Sequence, residues 1–429
     1  GSRGAVDAGS GPGGSGPRGP GGRGPGGPGG SGPGGEGAPI RRRRRWSTKR
    51  KILTPLIVLV VLAALVIGGG YAYVRYRYDQ IKKVTVSSEH KVDAGGPFNM
   101  LVLGSDSRVG AKATTGVGTA TLVGGQRSDV VMVWHVVPAT KKITILSIPR
   151  DTLVEMVGKN RTEFGEFAKI NTSYNSGTTL LVQTIQDNFG IPINHVVQVD
   201  FAGFKGAVNA LGGVYMNFKY PAKDAYSGLN VTSTGCQLLN GTEALAVARS
   251  RHYQYEKTGQ WLSTPLSDLA RIRRQDAFLK ALVDAAKSKY NPLQLNAFLG
   301  SLPQGIQVDQ TFSLSEMVGV AETFHSITPN TIATYTLPTL TGGNVTGYGD
   351  ALFVNQPADQ QLLVSIFGNE LETPTAPPPD ETLQPEAPPA TVTPSTTTSS
   401  SGGATAPSNS YSSTELDTTP TYDPTPCSP

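Results

Sequence analysis

From residue 98 onward, apolar positions fall into short runs whose period switches between two and about 3.6 residues. Phe98–Leu103, Val130–Val137 and Ile143–Ile148 are compact β-branched runs, and they predict strands. Thr178–Phe189 has a helical period and stops at Gly190 before Pro192, as helix C-termini do. Val196–Val199 then predicts a strand, Phe201–Leu211 a helix ended by Gly212 and Gly213, and Val214–Phe218 a strand. Thr242–Ser250 and Asp268–Lys287 read as helices. Leu314–Phe324 (helix), Ile332–Leu337 (strand) and Ala358–Phe367 (helix) complete the pattern. Such alternation predicts an α/β fold in α-β-α layers, a mostly mixed central sheet with helices on both faces. No internal repeat is visible.

A different pattern comes before it. Between Lys51 and Arg75 lie 23 uncharged residues, long enough to cross a bilayer with some tilt. A signal-peptide core is usually only about 7–15 residues, so a retained transmembrane helix over 52–74 is expected. Arg41–Arg45 with Lys49, Arg50 and Lys51 form the positive flank, which places the N-terminus in the cytoplasm and everything after the span outside. Arg75, Arg77, Lys82, Lys83 and Lys91 weaken that asymmetry without reversing it.

Composition sets the remaining boundaries. Residues 1–40 hold 19 Gly and 7 Pro, too little apolar surface to repay ordering. A Pro/Thr/Ser-rich stretch over 372–429 is expected to be disordered for the same reason. The expected organisation is a disordered cytoplasmic tail (1–51), the span (52–74), a stalk (75–96), an external folded domain (97–371) and a disordered tail (372–429).

Residues 1–51 carry eleven basic and two acidic residues, hence +9; with +5 for the whole chain, the rest is −4. The overall basicity therefore belongs to the tail. It could attract anionic lipid, but nothing in it predicts specific nucleic-acid binding. Cys236 and Cys427 lie in the exported part, where a disulfide is permitted, and their pairing is left open. No Cys/His metal spacing occurs.

Against that acidic background, Ala244–Gln275 concentrates Arg249, Arg251, Arg271, Arg273 and Arg274. Arginine presents a planar fork of donors that matches phosphate oxygens two at a time. A helical period puts Arg271, Arg274 and Gln275 on one face, whereas Arg249 and Arg251 share a face only on an extended or distorted segment. Other polar clusters border the predicted strands: Asp106 after the first, Arg127 and Asp129 before the second, Arg150 and Asp151 after the third. The crevice beyond strand ends is the usual ligand site of an α/β sheet. Asp106 and Asp129 could hold Mg²⁺ through one or two carboxylates, with substrate phosphate filling the shell.

LVLGSDSR, RSDVVMVWHV, ITILSIPRDT, KINTSYNSG, VVQVDFAGFKGAVNALGGVYMNF, LNGTEALAVARSRH and DLARIRRQ resemble, in order, the motifs of the LytR-CpsA-Psr (LCP) family. The resemblance is close over 98–282 and loose beyond. It implies a membrane-anchored phosphotransferase moving a glycopolymer from a polyprenyl-pyrophosphate carrier onto peptidoglycan, with a pyrophosphatase side activity compatible. The Gly/Pro-rich N-terminus hints at an actinobacterial member. Carried over residue by residue, the pattern puts Mg²⁺, or Mn²⁺ in its place, on Asp106 and Asp129. It puts pyrophosphate on Arg127, Arg150, Arg249, Arg251, Arg271, Arg274 and Gln275, with Asp106, Arg150 and Arg271 catalytic. Asp151 is expected to partner a site arginine. Arg273 fits no motif position and reads as part of a solvated face.

The segment between Arg251 and Asp268 and the Gly/Thr-rich 109–126 are longer than the pattern suggests. No folded domain is expected after Leu371. The alternative is a non-catalytic membrane protein that binds lipid-linked glycans or senses the wall.

Overall fold

The structure, a computed structural model, describes residues 48–87, 89–92, 95–105, 128–265, 267–288, 292–326, 332–345, 347–376 and 420–428. The chain divides into two compact units, Gly1–Ala64 and Leu65–Pro429. The described part of the first is helix. It belongs to α1 (Thr48–Asp79), whose apolar stretch Pro55–Asp79 is long enough for a single membrane anchor.

The second unit continues with β1 (Lys82–Val84), β2 (Phe98–Ser105), β3 (Ser128–Val137), β4 (Lys142–Ile148) and β5 (Leu153–Glu155). Next come α2 (Gly158–Phe164), β6 (Phe167–Lys169), α3 (Thr178–Phe189), β7 (His195–Asp200), α4 (Phe201–Ala210) and β8 (Val214–Phe218). β9 (Ala222–Asp224), β10 (Leu229–Val231) and β11 (Gly235–Leu239) lead to α5 (Gly241–Arg249). The hairpin β12 (Gln254–Lys257) and β13 (Gln260–Ser263) precedes α6 (Ser267–Ser288) and α7 (Pro292–Gly305). β14 (Ile306–Asp309), α8 (Leu314–Ser326), β15 (Ala333–Thr336), β16 (Thr339–Val345), β17 (Gly349–Val354), α9 (Ala358–Phe367) and β18 (Thr425–Pro426) complete the unit.

The central sheet is mixed, in the order β1-β14-β7-β2-β3-β4-β15, with β2 and β7 parallel and β2, β3 and β4 antiparallel in turn. Alternation along the strands sends successive side chains to opposite faces. Leu101, Leu103, Leu146 and Ile148 pack against Leu181, Ile185 and Phe189 of α3 and Phe367 of α9. Met100, Ile143 and Ile145 pack on the other face against Leu279 and Val283 of α6, Leu302 of α7 and Leu314 of α8. The expected α-β-α layering is present.

A side lobe carries the third apolar cluster, where β8, β11 and α5 meet α6 through Val214, Leu239, Val247 and Phe278. Close backbone approach seats α4 against the end of α7. A Cβ on Gly203 would lie 2.5 Å from the Gly305 carbonyl carbon, so only glycine fits there.

The expected elements did not include β1, β5, α2, β6, β9 to β13, α7, β14, β16 and β17, most of which are too short to carry a clear period. The disordered tail expected over 372–429 is corrected at its end. Residues 420–428 lie on the side lobe, where β18 pairs antiparallel with β8 and Cys427 forms a disulfide with Cys236. Composition misjudged this segment because its order comes from pairing partners about 200 residues away, not from local apolar content.

Candidate functional site: an arginine cluster at the strand ends

The site forms where the start of β3, the end of β4 and the first turns of α6 converge. β2 and β3 pair down to Gly104 and Val130, and after a one-residue register shift Ser105 pairs with Ser128, so the strand ends flanking 106–127 are adjacent. Asp106 and Arg127, expected as metal and phosphate ligands, lie outside the described residues. Asp129 is the second residue of β3, and Arg150 follows β4 after Pro149. Arg271 sits one turn into α6, behind Asp268. A small cleft is lined by Asp129, Ser147, Arg150, Arg271, Ile272 and Gln275 among others.

Three carboxylates organise the cations. Arg150 pairs with Asp129 through Nη1, and its Nε lies 3.3 Å from Asp151 Oδ2 and 3.7 Å from Asp268 Oδ1. Asp268 Oδ1 is also 3.1 Å from Arg251 Nε and 3.0 Å from Arg271 Nη2. Lys169, from the end of β6, joins through Asp151 at 3.3 Å. The network thus contains four cations and three carboxylates. Arg271 is 3 % exposed, yet its Nε and that of Arg251 lack a hydrogen-bond acceptor in good geometry, and both oxygens of Asp268 lack a donor in good geometry. Arg150 is bonded to Asp129 and Asp151, but the Arg251 and Arg271 Nε donors are not satisfied within the network. A buried set of this kind favours an added anion with several acceptor oxygens.

Electrostatics agrees. Burial works against ionisation of Asp129, but Arg271 and Arg150 outweigh it and hold its carboxyl below the usual range. Burial pulls Arg271 below the usual arginine value, opposed by Asp268 and Asp129 and reinforced by Arg150 and Arg251. It stays charged at neutral pH, since arginine is not deprotonated in proteins. Arg150 moves the other way, because Asp129, Asp151 and Asp268 outweigh its burial.

Of the expected pair, only Arg251 reaches the crevice network, through Asp268, and the chain changes conformation between it and Arg249. Arg249 ends α5 and Ser250 is extended (φ −68°, ψ 114°), which is the distorted segment the sequence required. The Arg249 guanidinium stacks 4.5 Å over Phe201 at the start of α4. Asp151 takes its expected place beside Arg150.

Two residues depart from expectation. Arg274, expected on pyrophosphate, is fully buried: Nη1 donates to Asp423 Oδ1 at 2.7 Å and Nη2 to the Ser250 carbonyl at 2.7 Å. Its guanidinium also stacks over Tyr253. Arg273, expected on a solvated face, is 7 % exposed and bonded to Asp423. The correction has one cause, a carboxylate supplied from the far end of the chain. Gln275 lines the cleft but donates its amide to the Ala248 carbonyl at 2.9 Å. Asp268 is the residue to which sequence reasoning gave no role, although its place in the D-x-x-R spacing of α6 was visible.

The chain thus combines an α/β scaffold, whose strand ends carry an arginine-lined crevice, with a helix long and apolar enough to cross a membrane. The chain belongs to the LytR_cpsA_psr family, whose family model matches residues 71–364. The probable cell wall biosynthesis protein LcpB of Corynebacterium glutamicum is 31% identical over 251 residues, which cover 58% of this chain and 56% of that protein. This chain therefore spans little more than half of that relative. The polyisoprenyl-teichoic acid–peptidoglycan teichoic acid transferase TagU of Bacillus subtilis is 29% identical over 260 residues, 57% of this chain and 73% of that protein. Among solved structures, the LytR-Csp2A-Psr enzyme from Actinomyces oris aligns with a TM-score of 0.54 at 24% identity, covering 69% of this chain and 97% of that one. A Streptococcus agalactiae protein aligns with a TM-score of 0.51 at 22% identity, covering 65% and 89%. At these identities the two structures show the fold alone.

Proposed function

We propose that the domain transfers a glycopolymer from a polyprenyl-pyrophosphate carrier to peptidoglycan, leaving a phosphodiester link. The observation that carries this is the convergence of Arg150, Arg251 and Arg271 on Asp129 and Asp268 with guanidinium donors still unmet. Family membership and relatives with transferase names support the same reading.

In this reading a hydroxyl of the acceptor sugar attacks the phosphorus that carries the glycan. A new P–O–C linkage forms, the P–O–P bond breaks, and polyprenyl phosphate leaves with the electron pair. The hydroxyl proton must go to a nearby base. Arg150, Arg251 and Arg271 would grip the diphosphate and neutralise charge growing on the leaving phosphate. They hold the reacting atoms in a crevice already furnished with fixed positive charge, so little reorganisation accompanies the reaction.

Asp129 fits a hard cation. It is held ionised and its side chain is about one-third exposed, at 34%. Among the described residues no three His, Cys, Asp or Glu side chains gather to hold a metal. A Mg²⁺ bound by one or two carboxylates, here Asp129 with Asp106, and completed by substrate phosphate matches that donor set. It would supply Lewis-acid neutralisation of the diphosphate. We further place the N-terminus in the cytoplasm and the catalytic domain outside, from the flanking charges and the Cys236–Cys427 disulfide.

The test is turnover of a synthetic lipid-diphosphate-linked saccharide by the full chain in detergent, with peptidoglycan fragments as acceptor. Metal-dependent formation of a saccharide–phosphate–peptidoglycan product and release of lipid phosphate are expected. Tight donor binding without product would replace the proposal with a lipid-linked glycan receptor.

A further inference from the structure

α6 places Arg271, Arg273 and Arg274 within four positions, and all three are buried. Asp268 answers the first. One carboxylate, Asp423 from the C-terminal segment, answers the other two. Its Oδ2 lies 3.3 and 3.2 Å from Arg273 Nε and Nη2, and its Oδ1 lies 2.7 Å from Arg274 Nη1. Asp423 is itself 4 % exposed. Without it, two neighbouring guanidiniums would be buried with no anion between them, an arrangement that proteins avoid by moving the side chains.

What Arg274 does with its other amino group links this clasp to the crevice. Nη2 donates to the carbonyl of Ser250, the residue between Arg249 and Arg251. Asp224 also accepts from the Ser250 hydroxyl at 2.7 Å and from the His252 amide at 2.9 Å. The turn that carries Arg251 is therefore held at two points, one of them set by Arg274. One residue further along α6, Gln275 bonds the Ala248 carbonyl.

The segment carrying Asp423 is fastened in its turn. Thr425 and Pro426 pair with Asn217 and Met216, and Cys427 is bonded to Cys236. The Tyr422 ring stacks on Tyr255 at 4.9 Å, and its carbonyl accepts from the Tyr253 hydroxyl at 3.2 Å.

We propose that Asp423 is a positioning residue for the arginine site, fixing the Arg274 guanidinium so that it sets the Arg249–Arg251 turn against the α6 residues Asp268 and Arg271. The inference rests on the diphosphate-binding reading above. Its action is indirect, since Asp423 pairs with Arg273 and Arg274 and with none of the crevice arginines.

The test uses the full chain in detergent with Mg²⁺ and geranylgeranyl diphosphate as probe. Binding is measured by calorimetry about 20 °C below each variant's Tm, with near-UV circular dichroism confirming complete folding. Asp423→Asn is expected to weaken binding about tenfold while fully folded, because small misplacements of binding groups are costly. Asp423→Glu, which keeps the charge but moves it by one methylene, is expected to lose about threefold. Tyr422→Ala, which removes the Tyr255 stacking and leaves the carboxylate, is expected to lower Tm without changing Kd. Equal Kd for wild type and Asp423→Asn would overturn the positioning role and leave the diphosphate site standing. If Asp423→Asn does not fold, Asp423→Glu decides, and an unchanged Kd there overturns the role. A wild-type chain that binds no diphosphate would remove both readings.

Discussion

Arg271 Nη2 donates to the main-chain carbonyl of Asp129 at 2.8 Å, across 142 residues of sequence. The same amino group lies 3.0 Å from Asp268 Oδ1. One guanidinium thus ties the first turns of α6 to the start of β3, and its Nε remains without an acceptor. Replacing it tests the crevice most directly. Arg271→Gln should weaken binding of a lipid-diphosphate donor by about 1.5–3 kcal/mol, roughly ten- to a hundredfold. Arg271→Lys should not restore it, because a point charge cannot serve the Asp129 carbonyl, Asp268 and a phosphate together. Donor titration of both variants checks this, and wild-type affinity in the lysine variant would contradict it.

Asp268 is shared by Arg150, Arg251 and Arg271 at 3.7, 3.1 and 3.0 Å. Its side chain is 12% exposed, so its loss leaves three guanidiniums crowded in a poorly hydrated place. Asp268→Asn should destabilise the domain toward the lower end of the ~3–5 kcal/mol seen when one partner of a buried pair is removed. Urea unfolding in the absence of donor measures it. Added diphosphate should recover part of the loss, since it supplies the missing negative charge.

The layered sheet was legible because its strands bury both faces, so Phe98–Leu103 and Ile143–Ile148 appear as mostly apolar runs, interrupted only by Asn99, Thr144 and Ser147. The crevice arginines were legible because strand ends and a helical D-x-x-R spacing fix where those residues must emerge. Arg273 and Arg274 were misjudged because local spacing cannot reveal a partner about 150 residues away. Neither residue differs in sequence from a solvated basic pair, and only the docked Asp423 makes them internal. The short strands β9, β10, β12 and β13 were missed because their order comes from cross-strand pairing, where runs of three or four residues carry little periodicity of their own.

Glu89 provides a pH signature away from the crevice. Burial, with added repulsion from Asp309, raises its pKa from 4.5 to about 7, although His195 and the Thr311 hydroxyl oppose this. The native state therefore binds a proton that the unfolded chain has already released. Stability from this group is fully present below about pH 4.5 and is lost as pH rises through about 7. Glu89→Gln keeps the uncharged form at every pH. The variant should match wild type in Tm near pH 4.5 and exceed it at pH 8, as read by thermal melts in matched ionic strength. A Tm difference independent of pH would show that Glu89 does not titrate in this window.

Asp129 behaves in the opposite sense, and its role as a cation ligand can be separated from its role as an arginine partner. Arg271 and Arg150 outweigh its burial and hold its pKa below the ordinary carboxylate value, so it is ionised throughout the neutral range. Its contribution to stability is present above about pH 4 and is lost as pH falls through the lower native value. Any fall in activity between pH 7 and pH 5 must therefore come from another group, such as the base that takes the acceptor proton. Asp129→Asn retains a side-chain oxygen for Arg150, and leaves the main-chain carbonyl that Arg271 bonds, but removes the charge that a hard cation requires. We expect the Mg²⁺ concentration for half-maximal turnover to rise about tenfold, ~1.4 kcal/mol, while donor affinity measured in EDTA changes little. Asp129→Ala should lose both, because Arg150 then keeps only Asp151 and Asp268. Magnesium titrations of turnover, set beside calorimetric donor binding in EDTA, distinguish the two effects. If Asp129→Asn needed no more Mg²⁺ than wild type, the carboxylate would be an arginine partner alone.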